Sequence, residues 1–342
     1  MTIRKMLSFL GKAGKRVLHA DRVQKREKKR ERQDWKRQAT FSSFLPAASR
    51  GMGSSTVENY HTAVRSFIRF NGGGRKDMPL AGIDCHLVAR YERWLREQGV
   101  CPNTSSCYLR SLRAIYNKAV RHRQVKDRKP FRNAFTGNDR TVKRSIGAAD
   151  IRKLHTAELP AGSRLALARD LFVFSFCAMG MPFADMARLR RRQIKEGVLT
   201  YCRRKTGRQV RVKIEGPMRD ILDQYAREDS DYLFPILYGV AGKRLRPRCY
   251  STALRDYNHL LQTLARKTGI KSHLSSYVPR HSWASMAYRH DVSLPVISQA
   301  LGHGDTHTTL IYIRSIDDRQ VAKANKKLLS EILAPPLGKR GK

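Results

Sequence analysis

From Lys129 to Ser145 the sequence reads KPFRNAFTGNDRTVKRS. Proline, glycine and asparagine among many charges sustain neither a helical nor a strand period, so the stretch reads as an extended connection dividing the apolar residues into two cores. The length agrees, because 342 residues exceed what one core usually serves and a 41% apolar share suffices for two modest ones. The expected organisation is an arm over 1–40, a helical unit over 41–130, a linker over 131–145, a second unit over 146–315 and a terminal helix and tail over 316–342.

Ahead of the first unit, FSSFLPAASRGMGSS is rich in Gly, Ser and Pro and reads as a connection. Helical spacing then puts Val57, Tyr60, Val64, Phe67 and Ile68 on one face of a helix over Thr56 to Phe70, stopped by the glycines after Asn71. Leu87, Val88, Tyr91, Trp94 and Leu95 mark a second helix. Pro102, Asn103 and Thr104 start a third, whose Tyr108, Leu112, Ile115, Tyr116 and Ala119 turn inward. Aromatic residues on these stripes read as core, which leaves binding to the basic faces.

Beyond the linker, RDLFVFSFCAMGM (169–181) is apolar enough for a buried helix, and PFADMARLRRRQI begins another. Between Val198 and Ile214 apolar and basic residues alternate about Lys205-Thr206-Gly207, as in a β-hairpin. Helices are expected over Tyr250 to Lys267, His281 to His290 and Leu294 to Leu301. From Asp317 to Leu333, Val321, Ala324, Leu328, Leu329 and Ile332 share a face of an amphipathic helix.

Against 69 Lys and Arg stand 28 Asp and Glu, a net charge of +41 with a pI near 10.8. Such a field calls for a polyanionic partner. No apolar run reaches the roughly 18 to 20 residues of a spanning helix, so membrane insertion is not expected, and the basic N-terminus lacks a continuous apolar core for export. The chain reads as cytoplasmic and nucleoid-associated. The first 40 residues carry 14 basic and 4 acidic side chains. They suit an arm that tracks phosphates, or a solvated helix laced by its own ion pairs. Six scattered cysteines form no C-x-x-C pair, and His303 and His307 lack the thiolate or carboxylate company of a closed metal site; no metal and no cofactor are expected.

Tyr312 follows the Leu301-Gly302-His303 turn by nine residues inside an apolar run. Any single tyrosine there packs in the core by default. Its company changes the reading: Arg280 in SYVPRHSWAS, His303 in LGHG and Lys205 on the hairpin. A phenol with a pKa near 10 is a weak nucleophile, and cationic donors that stabilise the phenolate and the phosphorus oxygens would activate it without metal.

Over roughly residues 55 to 330 the chain resembles the tyrosine recombinases, or phage integrase family. The Arg280-to-His303 separation, the Leu-Gly-His turn, the Thr308-Thr309 approach to Tyr312 and the Lys-Thr-Gly hairpin occur in family order. The resemblance implies a mainly α fold with a small β-sheet, in which a helical SAM-like core-binding domain and an α+β catalytic domain close on duplex DNA. It implies Tyr312 as the nucleophile forming a 3′-phosphotyrosyl link, Arg280 as a phosphate clamp, His303 as a hydrogen-bond donor to the phosphate and Lys205 as the acid for the leaving 5′-oxygen. Arg110, Arg113 and Lys118 on the third helix, with Arg203 and Arg204 on the hairpin, are the expected DNA contacts.

Two positions depart from the family pattern. Tyr277 stands three residues before Arg280 where histidine is usual; its hydroxyl donates but carries no charge, and it stays among the expected site residues. Pro182 in GMPFAD stands where the first arginine belongs, and Met179 occupies the alternative arginine position of some divergent members. Arg169 is the expected substitute, with Arg188 a second candidate and Asp185 an orienting carboxylate. The expected function is a site-specific recombinase acting as a tetramer on two duplexes to integrate or excise a mobile element, the C-terminal helix docking on a neighbouring protomer. A DNA-bending host factor is left open as a further partner. The competing expectation is a DNA-binding or architectural protein that keeps the fold and has lost cleavage.

Overall fold

A computed structural model describes residues 38–72, 77–139, 144–226, 230–241, 244–304 and 306–310. Tyr312, the C-terminal helix over 317–333 and all but the last residues of the basic arm lie outside the described residues. The chain divides at Thr141 and Val142 into two units, each with its own core.

The first unit is helical: α1 (Phe41–Ala48), α2 (Ser54–Phe70), α3 (Cys85–Glu97) and α4 (Pro102–Arg121). The expected connection before Thr56 is in part α1. Phe41, Phe44, Leu45 and Ala48 recur at helical spacing and are all buried, and the Thr40 hydroxyl accepts from the Ser43 amide as its cap. That apolar face overrides the loop signal of Ser and Pro46. The aromatic residues of the stripes pack as core: Phe67 sits edge-on to Phe41 and to Tyr91, at 5.3 and 5.1 Å between ring centres.

The stretch read as linker is largely folded onto this unit. Phe131 is 3% exposed in its core, Ser106 Oγ donates to the Gly137 carbonyl, and Asn103 and Asp139 exchange side-chain-to-backbone hydrogen bonds. Composition signalled irregular backbone there and could not signal that this backbone would be tied down.

The second unit comprises α5 (Ala148–His155), α6 (Arg164–Cys177), α7 (Phe183–Met186), the antiparallel strands β1 (Ile194–Lys195), β2 (Val198–Cys202) and β3 (Gln209–Lys213), then α8 (Gly216–Gln224), the hairpin β4 (Tyr238–Ala241) with β5 (Arg244–Pro247), and α9 (Tyr250–Lys267), α10 (Val278–Arg289), α11 (Leu294–Leu301) and α12 (Thr306–Leu310). It is mainly α with a three-stranded sheet in the order β1-β2-β3. α6 is packed by α5, α8, α9 and α10, which explains its apolar circumference.

The hairpin forms in the expected place, Leu199 pairing with Val212 and Tyr201 with Val210 across β2 and β3. α9 and α11 keep their expected bounds. α10 begins at Val278 instead of His281, so Arg280 lies in its first turn. Pro279 near the helix start suits a position whose amide has no partner within the helix.

Candidate active site

Three backbone turns and the start of α10 meet around the Arg280 guanidinium. The first turn ends α6, where Met179 and Gly180 both take left-handed backbone angles, φ +56° and +72°. Ser175 secures it: its carbonyl accepts from the Gly180 and Met181 amides at 2.8 and 3.1 Å, and its hydroxyl donates to the Met181 carbonyl. This turn exposes the Gly180 carbonyl to Arg280 Nη1, which donates at 2.9 Å.

The second turn is Leu301 to Gly304. Gly302 ends α11 in the left-handed region at φ +64°, and a Cβ there would lie 2.9 Å from Arg203 Cγ. Glycine therefore gives both the turn and the close approach of the hairpin. Arg280 Nη2 donates to the Leu301 carbonyl at 2.6 Å and meets His303 Nε2 at 2.9 Å. A guanidinium only donates, so Nε2 is the unprotonated nitrogen and Nδ1–H faces the Thr309 hydroxyl 2.9 Å away. Arg280 is 2% exposed, His303 6% and Thr309 0%.

The third turn, Arg203 to Arg208, is latched onto the second. Arg203 Nη1 donates to the Leu301 carbonyl, Thr206 Oγ1 to the Gly302 carbonyl at 3.2 Å, and Arg208 Nη1 to the His303 carbonyl at 2.7 Å. Beneath it Asp185, also buried, holds Arg203 Nε at 2.9 Å through one carboxylate oxygen and accepts from the Arg204 amide through the other at 3.0 Å. These bonds fix the turn carrying Lys205, whose side chain is exposed, next to His303.

Burial pushes the His303 imidazole down to about 4, helped by the positive charges of Arg280, Arg203 and Lys205. It is neutral at pH 7. Because its folded pKa lies below the ordinary 6.5, the unfolded chain binds a proton first on acidification. This stabilising contribution is full above pH 6.5 and drains away as pH falls towards 4. Urea-unfolding midpoints of the second unit, measured across that window, are expected to fall less in His303→Gln than in the parent; identical pH slopes would refute the assignment.

The expected residues separate clearly. Arg280 and His303 come together with the Lys205 turn, whereas Tyr277 caps α10 at 51% exposure with its ring tilted 6.2 Å from that of His281. Arg169 does not join them. Its Nε pairs with Asp170 at 2.7 Å and its Nη1 donates to the Ala157 carbonyl, while Asp170 also accepts from the Tyr225 hydroxyl. Arg169 lies eight residues, about 12 Å of helix rise, before the end of α6, and it ties α6 to the segment after α5, while Asp170 links α6 to Tyr225 at the end of α8. Arg188 stacks on Tyr250 at 5.1 Å.

Among the expected DNA contacts, Arg204 has an exposed side chain, and Arg110 and Arg113 each lend one nitrogen to the 136–138 segment. Lys118 is turned inward, donating to the Ala48 carbonyl at 2.5 Å beside the Tyr60 ring. Arg203, expected on the DNA-facing surface, is 6% exposed and inside the cluster. The sequence carried a signal for this: Leu199 and Tyr201 lie on one face of β2, Arg203 just past its end continues the alternation, and all three are buried. Of the two residues that hold His303 from either side, Arg208 went unread and Thr309 was read only as part of the approach to Tyr312. Among the described residues no cluster of His, Cys, Asp or Glu could hold a metal ion, and no helix is long and apolar enough to cross a membrane.

The arrangement brings two buried guanidiniums, Arg203 and Arg280, to one carbonyl, with Asp185 against Arg203 and the Lys205 turn beside them. Residues 39–136 match a phage integrase SAM-like domain model and residues 150–319 match the phage integrase family model. The chain is 24% identical over 279 residues to the tyrosine recombinase XerD of Shewanella oneidensis, covering 78% of this chain and 87% of that one. Its fold is similar to a lambda integrase tetramer bound to a Holliday junction, with a TM-score of 0.61 at 18% identity over 84% of this chain and 82% of that one. It is also similar to the Tn1549 transposon integrase in complex with transposon right end DNA, with a TM-score of 0.64 at 13% identity over 86% and 100%.

Proposed function

Because this chain belongs to the phage integrase family, the tyrosine recombinases, we propose that it cuts and rejoins duplex DNA at a specific site to integrate or excise a mobile element. The observation that carries this reading is the convergence of the buried Arg280 and His303 with the Lys205 turn in one cluster. A protein that only grips DNA needs surface cations, and gains nothing from burying a guanidinium against three fixed acceptors.

The Tyr312 oxygen, its phenolic proton passing to solvent, attacks the scissile phosphorus as the bond to the 5′-oxygen breaks, which leaves a 3′-phosphotyrosyl bond and a 5′-hydroxyl. Lys205 protonates the leaving oxygen. The bond energy stays in the phosphotyrosine, so rejoining needs no nucleotide cofactor. Arg280 stabilises the charge on the nonbridging oxygens with donors already aimed. An incoming phosphate competes for Arg280 Nη2, releases His303 Nε2 and lifts the imidazole pKa by its negative charge, turning His303 from acceptor into donor. Tyr277 and the exposed Arg204 contact the DNA beside this centre, and two duplexes are held by four protomers.

A denaturing gel tests this reading with a pool of nicked half-site duplexes whose binding segment is randomised, the nick trapping cleaved product. A covalent protein–DNA adduct that disappears in Tyr312→Phe is the expected result. The competing reading, a silent DNA-binding protein, draws on Pro182, which stands at the expected first-arginine position and offers no side-chain donor. Sequence-selective retention of duplexes with no adduct would establish it instead.

A further inference from the structure

We propose that Arg203 is the second phosphate-binding guanidinium of this active site, doing the work for which position 182 offers only proline. The assignment rests on the recombinase reading above. Arg203 reaches the centre from just past the end of β2, continuing the buried alternation of Leu199 and Tyr201, and its Nη1 donates to the same Leu301 carbonyl that Arg280 Nη2 uses. One carbonyl oxygen thus brings the forks of two arginines, from different elements, to one point.

The charge balance argues against a purely structural role. Arg203, 6% exposed, has the buried Asp185 carboxylate 2.9 Å from its Nε, and the partners described for Arg280, 2% exposed, are the Gly180 and Leu301 carbonyls and His303 Nε2. Burying two like charges against one opposite charge is costly, and a residue that continues a strand's apolar face needs neither. A phosphodiester bound here would set its negative charge against both guanidiniums. Nη2 of Arg203 makes no hydrogen bond among the described residues, which leaves a donor for it. The surrounding latch of Thr206 and Arg208 keeps the fork in place as DNA arrives.

The test uses the half-site recovered by adduct selection, made once with an ordinary scissile phosphate and once with a methylphosphonate, in which a methyl group replaces one nonbridging oxygen and removes the charge. Arg203→Ala is expected to form adduct about 10²- to 10³-fold more slowly on the phosphate, with duplex binding within a few-fold of the parent. On the neutral methylphosphonate this deficit should shrink at least tenfold, because the charge that Arg203 neutralises is gone. A loss of packing would slow both substrates alike.

Arg203→Lys, which preserves a cation for Asp185, receives the same comparison should the alanine variant fail to fold. Equal deficits on both substrates, or a parental rate on the phosphate, would overturn the assignment of Arg203 and leave the recombinase reading standing. Absence of adduct from the parent chain on every member of the pool would sink both.

Discussion

Lysine in place of Arg280 is expected to slow adduct formation by about 10²- to 10³-fold while duplex binding stays within a few-fold of the parent. Charge is preserved in this variant, so the loss isolates geometry. Arg280 uses one planar fork to reach the Gly180 carbonyl at 2.9 Å, the Leu301 carbonyl at 2.6 Å and His303 Nε2 at 2.9 Å. A single ammonium cannot span donors pointing to both turns, and it cannot present two parallel N–H groups to a phosphate. It would also release His303 from its fixed tautomer. Single-turnover adduct formation on the nicked half-site measures the effect; a rate close to the parent's would mean that positive charge alone, without the fork, serves the site.

The three turns that build the site were legible to different degrees. The hairpin could be placed because alternation of apolar and basic residues survives in a short strand, and the Leu301-Gly302-His303 turn because a glycine after an apolar helical run marks a left-handed end. α1 and the folded 130–139 segment were misjudged for one reason. Local composition reports what the backbone prefers, and both segments are held by distant partners: α1 by the aromatic core around Phe67, and the 136–139 turn by Asn103 and Ser106 on α4.

The positions of Arg169 and Arg203 were misjudged for a related reason. Arg169 was favoured because it stands on a buried helix, but burial there is satisfied by its neighbour Asp170 and a carbonyl, with Tyr225 completing the cluster. Arg203 looked like one more cation in a basic turn until the pairing of β2 with β3 fixed which of Arg203 and Arg204 faces inward. A one-residue shift of that register would have reversed them.

Alanine at Gly180 is expected to destabilise the second unit and to remove cleavage together, because one glycine seats Arg280, the proposed phosphate clamp. Its φ of +72° costs a residue with a side chain about 1–3 kcal/mol. A Cβ there would also stand 2.6 Å from Arg280 Cα, a backbone atom in the first turn of α10 that cannot swing aside as a side-chain tip can. Gly197, in the turn between β1 and β2, separates the two costs: its φ is +71° and nothing lies within 4 Å of the added carbon. Gly197→Ala should therefore lose only the conformational share of stability and cleave near the parental rate. Gly180→Ala should unfold at distinctly lower urea and, wherever it remains folded, cleave far more slowly, since displacing the Arg280 backbone by a few tenths of an ångström moves its fork against both carbonyls. Equal unfolding midpoints for the two variants would show that α10 yields to the new carbon, and that the contact between Gly180 and Arg280 does not set the position of the guanidinium.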